Sequence, residues 1–207
     1  MRNDFYPAGT TMQLIDSDFV TPQTKIVLLE RIKKQERIAD SFFDDTSFAL
    51  LEAVCDCLLP QNERTEKIPL AVMLEEELHT SKGKGWRFDV LPPAKEAFTQ
   101  GLKGIEEEAQ QTCNTSFIQL SVSEQQNILK AVQTGTVRAG MWQQLPSHLF
   151  FTEILALLTE LYYSHPLAKE EIGDASFTDA KGWQRIGLDE LEEREPQPIK
   201  SATDEKE

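Results

Sequence analysis

The chain has 207 residues, of which 35 are acidic and 21 basic, so that its net charge is −14. Nucleic acid and anionic lipid attract basic proteins, and this acidity therefore argues against a DNA, RNA or anionic membrane-surface ligand. Three cysteines are too few for a disulfide framework, and no CxxC or CxxCH motif indicates zinc or c-type haem. The length suggests one domain with tails and a sizeable core.

The N-terminal region, residues 1–20, is predicted to be an extended arm. It contains neither the apolar core of a signal peptide nor a twin arginine. The default expectation is therefore a cytoplasmic protein, which would reach the periplasm only if it were exported together with a partner.

Six helices are predicted along the rest of the chain. Thr21 and Pro22 form a helix start, because proline is favoured at the first helical position. Ser121 and Glu124 have the spacing of a capping box at the start of another helix. The stretch 117–122 alternates weakly, as a short strand would, but a loop is favoured. The predicted helices span about residues 21–37, 45–58, 69–80, 92–111, 121–133 and 146–166.

The last of these helices, between Pro146 and Pro166, is apolar around most of its circumference. Such a helix is buried by its neighbours. It is shorter than the roughly 20 apolar residues of a bilayer span, and it contains two glutamates. We therefore predict a central core helix within an all-α fold, a single irregular bundle covering residues 21–188. The acidic residues 189–207 are predicted to be a disordered tail.

The segment from Ser164 to Gly187 is irregular and rich in glycine, aspartate and aromatic residues. Aromatic residues on both sides of a polar loop are typical of anchors at a protein interface. The alternative is that these aromatic residues close the core of the domain itself. The predicted partner contacts are Trp142, Tyr162, Tyr163, His165, Pro166, Trp183, Ile186 and Gly187.

No catalytic motif is evident in the sequence. The three histidines are far apart and lack HExxH spacing, and no nucleotide-binding glycine pattern is complete. The glutamate runs at 75–77 and 106–108 are predicted to lie on solvated helix faces. A binding or structural role is favoured. The alternative is a small helical enzyme or metal-binding protein, whose folding would bring together His165, Asp174 and Asp179.

Several stretches of the chain form an ordered set, of which the C-terminal run is the strongest part. They are FALLEAVCDCLLP at 48–60, Gly85-Trp86-Arg87 leading to Leu91-Pro92-Pro93, Phe117-x-x-Leu120 with Gln125, Phe150-Phe151, Tyr162-Tyr163-Ser164-His165-Pro166 and Gly182-Trp183-x-x-Ile186-Gly187. Taken in this order, they resemble the gluconate 2-dehydrogenase subunit 3 family over roughly residues 20–188.

The resemblance implies a non-catalytic small subunit of a soluble or membrane-associated FAD-dependent dehydrogenase for sugars or sugar acids such as gluconate. Such a subunit assists the folding, maturation or stability of the flavoprotein large subunit, with or without a cytochrome subunit. FAD is then expected in the partner and no cofactor in this chain. Family members often carry a twin-arginine export signal for the complex, and this sequence departs from that pattern.

Overall fold

The computed structural model describes residues 6–33, 36–38, 41–64, 66–80, 88–177, 179, 181–185, 187–188, 190–197 and 199. Over these residues the chain forms eight α-helices and two short 3-10 helices, and no strand, which confirms the all-α prediction. The α-helices are α1 Thr10–Asp16, α2 Pro22–Lys33, α3 Asp45–Leu58, α4 Leu70–Thr80, α5 Ala94–Cys113, α6 Val122–Thr134, α7 Ser147–Ser164 and α8 Pro166–Glu171.

The helices fall into two compact units. Residues 1–34 and 162–207 form the first, here called the terminal unit, and residues 35–161 form the second, the central unit. The helices α1 and α2 thus group with the chain that follows Tyr162.

The core of the central unit is built on α5 and α7. Phe150, Ile154 and Leu158 of α7 are almost completely buried, as the apolar stripes of this helix predict. Gly101 and Gly104 of α5 provide the space for bulky neighbours. A methyl group at Gly101 would collide with the ring of Phe150, so the absence of a side chain there allows the two helices to approach closely.

One glutamate in each predicted solvated run is in fact buried. Glu108 is only 2% exposed, and its Oε2 accepts hydrogen bonds from the backbone N–H groups of Arg138 at 2.8 Å and Ala139 at 2.9 Å. The prediction of a solvated face is therefore wrong for this residue. Its carboxylate satisfies two backbone donors of the chain between α6 and α7, and the one at Ala139 would otherwise be buried without a partner.

Glu75 of α4 is likewise fully buried. Its carboxylate accepts hydrogen bonds from the Arg37 guanidinium, the Ser41 hydroxyl and the Phe43 backbone N–H. Burial opposes ionisation of Glu75, but these bonds outweigh it and lower the pKa of the carboxyl below its ordinary value. The predicted solvated face is thus wrong here as well, because donors distant in sequence surround the side chain.

The predicted helix starts are largely confirmed. Ser121 and Glu124 form the capping box of α6, and α2 begins at Pro22. Residues 117–119 form a 3-10 turn, neither a strand nor an unstructured loop. The prediction of an irregular segment after α7 is wrong at its start, because Pro166 opens the short helix α8.

The predicted extended arm is wrong over Thr10–Asp16, where the chain forms α1. The carboxylate of Glu170, in α8, accepts hydrogen bonds from the backbone N–H groups of Gly9 at 3.0 Å and Thr11 at 2.7 Å. A carboxylate at this position satisfies free N–H groups and complements the helix dipole. Ile15 of α1 is buried, so the helix contributes to the core of the terminal unit.

Candidate partner-binding surface

Three of the predicted contact residues lie in the terminal unit with their surface available. Tyr163 is 40% exposed and Trp183 is 58% exposed. Gly187 is exposed as well, and Tyr162 is partly buried. These four residues stay candidates for a partner contact. Ile186, also predicted, lies outside the described residues.

The structure corrects the prediction for Trp142, which is a core residue with 7% exposure. Its indole lies against α5 at Gly104, where a methyl group would come within 2.6 Å of the ring. The ring of Phe150 lies 5.9 Å away, centroid to centroid. Trp142 therefore fills a notch that glycine creates in the central unit, and it has little surface to offer a partner.

His165 and Pro166 are corrected for the same reason, since both are buried. His165 is the N-cap of α8, and its Nδ1 accepts a hydrogen bond from the Leu167 backbone N–H at 3.3 Å. The Pro166 carbonyl accepts a hydrogen bond from the Thr11 hydroxyl at 3.2 Å. Both residues hold α8 in place rather than facing outward.

Tyr162 and Tyr163 form a perpendicular ring pair at the end of α7, with centroids 5.1 Å apart. The Tyr162 hydroxyl donates a hydrogen bond to Glu171 at 2.8 Å. This bond fixes Tyr162 against α8, and the ring contact in turn restrains the more exposed Tyr163. An aromatic side chain restrained in this way loses little conformational entropy when it is covered by a partner.

Trp183 is supported by Arg194. The guanidinium carbon of Arg194 lies 5.1 Å from the centroid of the indole, a cation–π distance. Arg194 also donates a hydrogen bond from Nη1 to the Lys181 carbonyl at 2.8 Å. One side of the indole is therefore covered by a charged neighbour, while more than half of its surface faces solvent.

The alternative site of His165, Asp174 and Asp179 receives no support, because each side chain has a separate structural partner. Asp174 pairs with Lys169 at 3.0 Å, and Asp179 accepts a hydrogen bond from the Thr21 hydroxyl. Burial opposes ionisation of Asp174, but hydrogen bonds from Ser176 and Lys169 outweigh it and lower its pKa. No group of three or more potential metal ligands occurs among the described residues.

The sequence did not predict the exposed apolar surface of α2. None of the twelve residues of this helix is buried, although five are aliphatic. Ile26 is 58% exposed and Val27 48% exposed, and Phe19, just before the helix, is 44% exposed. The apolar content of α2 was visible in the sequence, but its exposure depends on which neighbours cover the helix.

A cavity of about 300 Å³ lies beside α2 in the terminal unit. Its lining comes from α1, Val20, α2, Ser164 at the end of α7, α8 and the chain that follows α8. Three lining residues are charged: Arg31, and Lys169 with Asp174, which form an ion pair. The apolar lining residues are Leu14, Ile15, Val20, Val27, Leu28, Pro166 and Phe177.

Fold and surface together define a class of protein: an all-helical chain whose distinctive features are exposed aromatic and aliphatic side chains. Within the described residues, no helix combines the length and apolarity needed to cross a membrane.

The family model described as "Gluconate 2-dehydrogenase subunit 3" matches residues 45–193. The chain belongs to this family, as the resemblance in its sequence predicts. No curated protein and no solved structure is significantly similar to it. The match includes Tyr163 and Trp183, and it begins after α1 and α2.

Proposed function

We propose that this chain is a non-catalytic small subunit of an FAD-dependent dehydrogenase for gluconate or a related sugar acid or sugar. It binds the flavoprotein large subunit and assists its folding, maturation or stability. FAD resides in the large subunit, and this chain carries no cofactor of its own. The observation that supports this proposal is the family match over residues 45–193.

The exposed aromatic residues of the terminal unit give this proposal a physical basis. Trp and Tyr are enriched among the residues that dominate binding energy at protein interfaces. Tyr163 and Trp183 are both exposed and both restrained by a neighbour, Tyr162 in one case and Arg194 in the other. Exposed, restrained aromatic rings can bury a large apolar area at low entropic cost.

Co-expression tests the proposal. The FAD-containing large subunit of a gluconate dehydrogenase from the same organism is produced alone, with this chain, or with its Trp183→Ala variant. We expect this chain to co-purify with the large subunit and to raise its soluble yield and FAD occupancy, measured by flavin absorbance after denaturation. Equal yield and flavin content with and without the chain would refute the assisting role, and dehydrogenase activity of this chain alone would refute the non-catalytic role.

A further inference from the structure

The short helix α8 carries two neighbouring glutamates whose carboxylates bind different parts of the terminal unit. Glu170 accepts hydrogen bonds from the backbone N–H groups of Gly9 and Thr11, at 3.0 and 2.7 Å. Glu171 accepts a hydrogen bond from the hydroxyl of Tyr162 at 2.8 Å. One helix therefore links the start of α1 to the pair of tyrosines at the end of α7.

The N-terminal segment, residues 6–16, also contacts α8 at both of its ends. The Thr11 hydroxyl donates a hydrogen bond to the carbonyl of Pro166, the first residue of α8, at 3.2 Å. Beyond the other end, the ring of Tyr6 lies against Gly173, where a methyl group would collide with it. Gly173 has a φ of +66°, a conformation that favours glycine. The chain that ends α8 is thus shaped to receive the Tyr6 ring.

These contacts matter because α8 has only six residues. Isolated helices shorter than about 12–15 residues are marginal in water, so α8 depends on its neighbours. The ion pair of Lys169 with Asp174 closes the end of the helix locally. The bonds from Gly9 and Thr11 to Glu170 instead join positions 161 and 159 residues apart. Since α2 also packs against α8, losing these bonds should loosen the helix rather than unfold it.

A loosened α8 would release the tyrosine pair, because Glu171 holds the hydroxyl of Tyr162. The rings of Tyr162 and Tyr163 are perpendicular, with centroids 5.1 Å apart, so the restraint on one extends to the other. Tyr163 is 40% exposed and is a candidate for the partner contact. A restrained ring loses less conformational entropy on binding than a mobile one. The hold of the N-terminal segment on α8 should therefore favour binding.

We propose that the N-terminal segment is a positioning element for the partner contact. By binding α8 through Glu170, it keeps Glu171 and the tyrosine pair in the geometry that contacts the large subunit. The proposal rests on the proposed function for the identity of the partner. The family match begins at residue 45, so this role belongs to a part of the chain outside the matched region.

Hydrogen exchange and NMR on the full chain, without a partner, test the first step. Glu170→Ala removes the carboxylate that joins α1 to α8. We expect the hydrogen-bonded backbone amides of α8 to exchange at least about threefold faster, and the ring signals of Tyr162 and Tyr163 to shift. The matched control is Glu30→Ala, an exposed glutamate of α2 in the same unit, which should change neither. Unchanged exchange in α8 and unchanged ring signals in Glu170→Ala would overturn the proposal.

A double-mutant cycle tests the second step, with binding to the purified FAD-containing large subunit measured by calorimetry. We expect Glu170→Ala to lower affinity about threefold to tenfold, the cost of immobilising a loosened side chain. In a chain that already carries Tyr163→Ala, the same change should lower affinity by less than about twofold, because both substitutions act on one contact. Tyr162→Phe, which keeps the ring and loses only the bond to Glu171, should show the same dependence on Tyr163.

The outcomes of the cycle separate this proposal from the proposed function. Equal effects of Glu170→Ala with and without Tyr163 would mean that the N-terminal segment contacts the partner directly, and would overturn the proposal alone. Glu170→Gln keeps one acceptor oxygen, so its affinity should lie between those of Glu170→Ala and wild type. Failure of the wild-type chain to bind would overturn the proposed function, whereas the exchange measurement would still decide whether the segment positions the tyrosine pair.

Discussion

Arg37 and Glu75 form a two-point ion pair in the central unit, with Nε and Nη2 of the guanidinium each 3.0 Å from a different carboxylate oxygen. The Glu75 side chain is 1% exposed and that of Arg37 is 24% exposed. Paired geometry of this kind adds directional hydrogen bonds to the charge attraction. The pair fixes the loop before α3 to α4, because Glu75 also accepts the backbone N–H of Phe43.

Removing the arginine should therefore be strongly destabilising. We expect Arg37→Ala to lower the free energy of unfolding by about 3 kcal/mol, because a buried carboxylate is left without its counter-charge. Urea denaturation followed by circular dichroism measures this difference. Arg138→Ala, which truncates an exposed arginine of the same unit, should change stability by no more than about 0.5 kcal/mol. Equal effects of the two substitutions would contradict the importance assigned to the ion pair.

The Glu75 carboxylate should also make the stability of the fold depend on pH. The pKa of Glu75 is lower in the folded state than its ordinary value of 4.5. Ionised Glu75 therefore stabilises the folded state. This contribution to the free energy of unfolding is fully present above pH 4.5 and is lost progressively as the pH falls through the folded-state pKa. We expect the stability difference between wild type and Glu75→Gln to be constant near neutral pH and to shrink below pH 4.5. Glu77→Gln, on the same helix, should differ little from wild type at neutral pH. A difference for Glu75→Gln that does not change with acidification would show that the charge is unimportant.

The glycines of α5 give a packing prediction. A methyl group at Gly101 would collide with Phe150, and one at Gly104 would come within 2.6 Å of Trp142. We expect Gly101→Ala and Gly104→Ala each to reduce the free energy of unfolding by about 1–3 kcal/mol, although alanine has the higher helix propensity. Gly140→Ala is the control, because no atom lies within 4 Å of the added methyl group. Thermal denaturation measures the difference. Equal melting temperatures for all three variants would contradict the prediction.

Local sequence patterns predicted the helices well, because periodicity and caps act within a few residues. The apolar stripes of α7 and the capping box at Ser121 are examples. The buried glutamates could not be predicted in this way. Glu108 is satisfied by Ala139, 31 residues away, and a glutamate run has the same composition whether one member is buried or none. Similarly, α1 was missed because the carboxylate that caps it, Glu170, is 161 residues from Gly9.

The exposure of the predicted contact residues followed from the sequence only in part, for a related reason. Aromatic residues beside a polar loop led to the prediction of an interface, and Tyr163 and Trp183 have the exposed surface that such a contact requires. The same argument failed for Trp142, because the notch at Gly104 that accepts its indole is created by helix packing. Sequence thus identified which residues have the chemistry of an anchor, whereas the structure decided which of them have free surface.

Trp183 and Trp142 therefore form a matched pair for the last prediction. Trp183→Ala removes a side chain that is 58% exposed, so we expect the isolated chain to keep its helix content and its melting temperature within a few degrees. Affinity for the FAD-containing large subunit should fall about thirtyfold, which corresponds to about 2 kcal/mol for an anchor at an interface. Trp142→Ala should do the opposite, lowering the free energy of unfolding by about 3–5 kcal/mol through the cavity it leaves beside Gly104 and Phe150. Circular dichroism and calorimetry on the two variants separate the roles.

Unfolding of Trp183→Ala would show that this tryptophan is a core residue. If Trp183→Ala folds and binds with wild-type affinity, the contact lies elsewhere, and the exposed apolar residues of α2, Ile26 and Val27, become the better candidates.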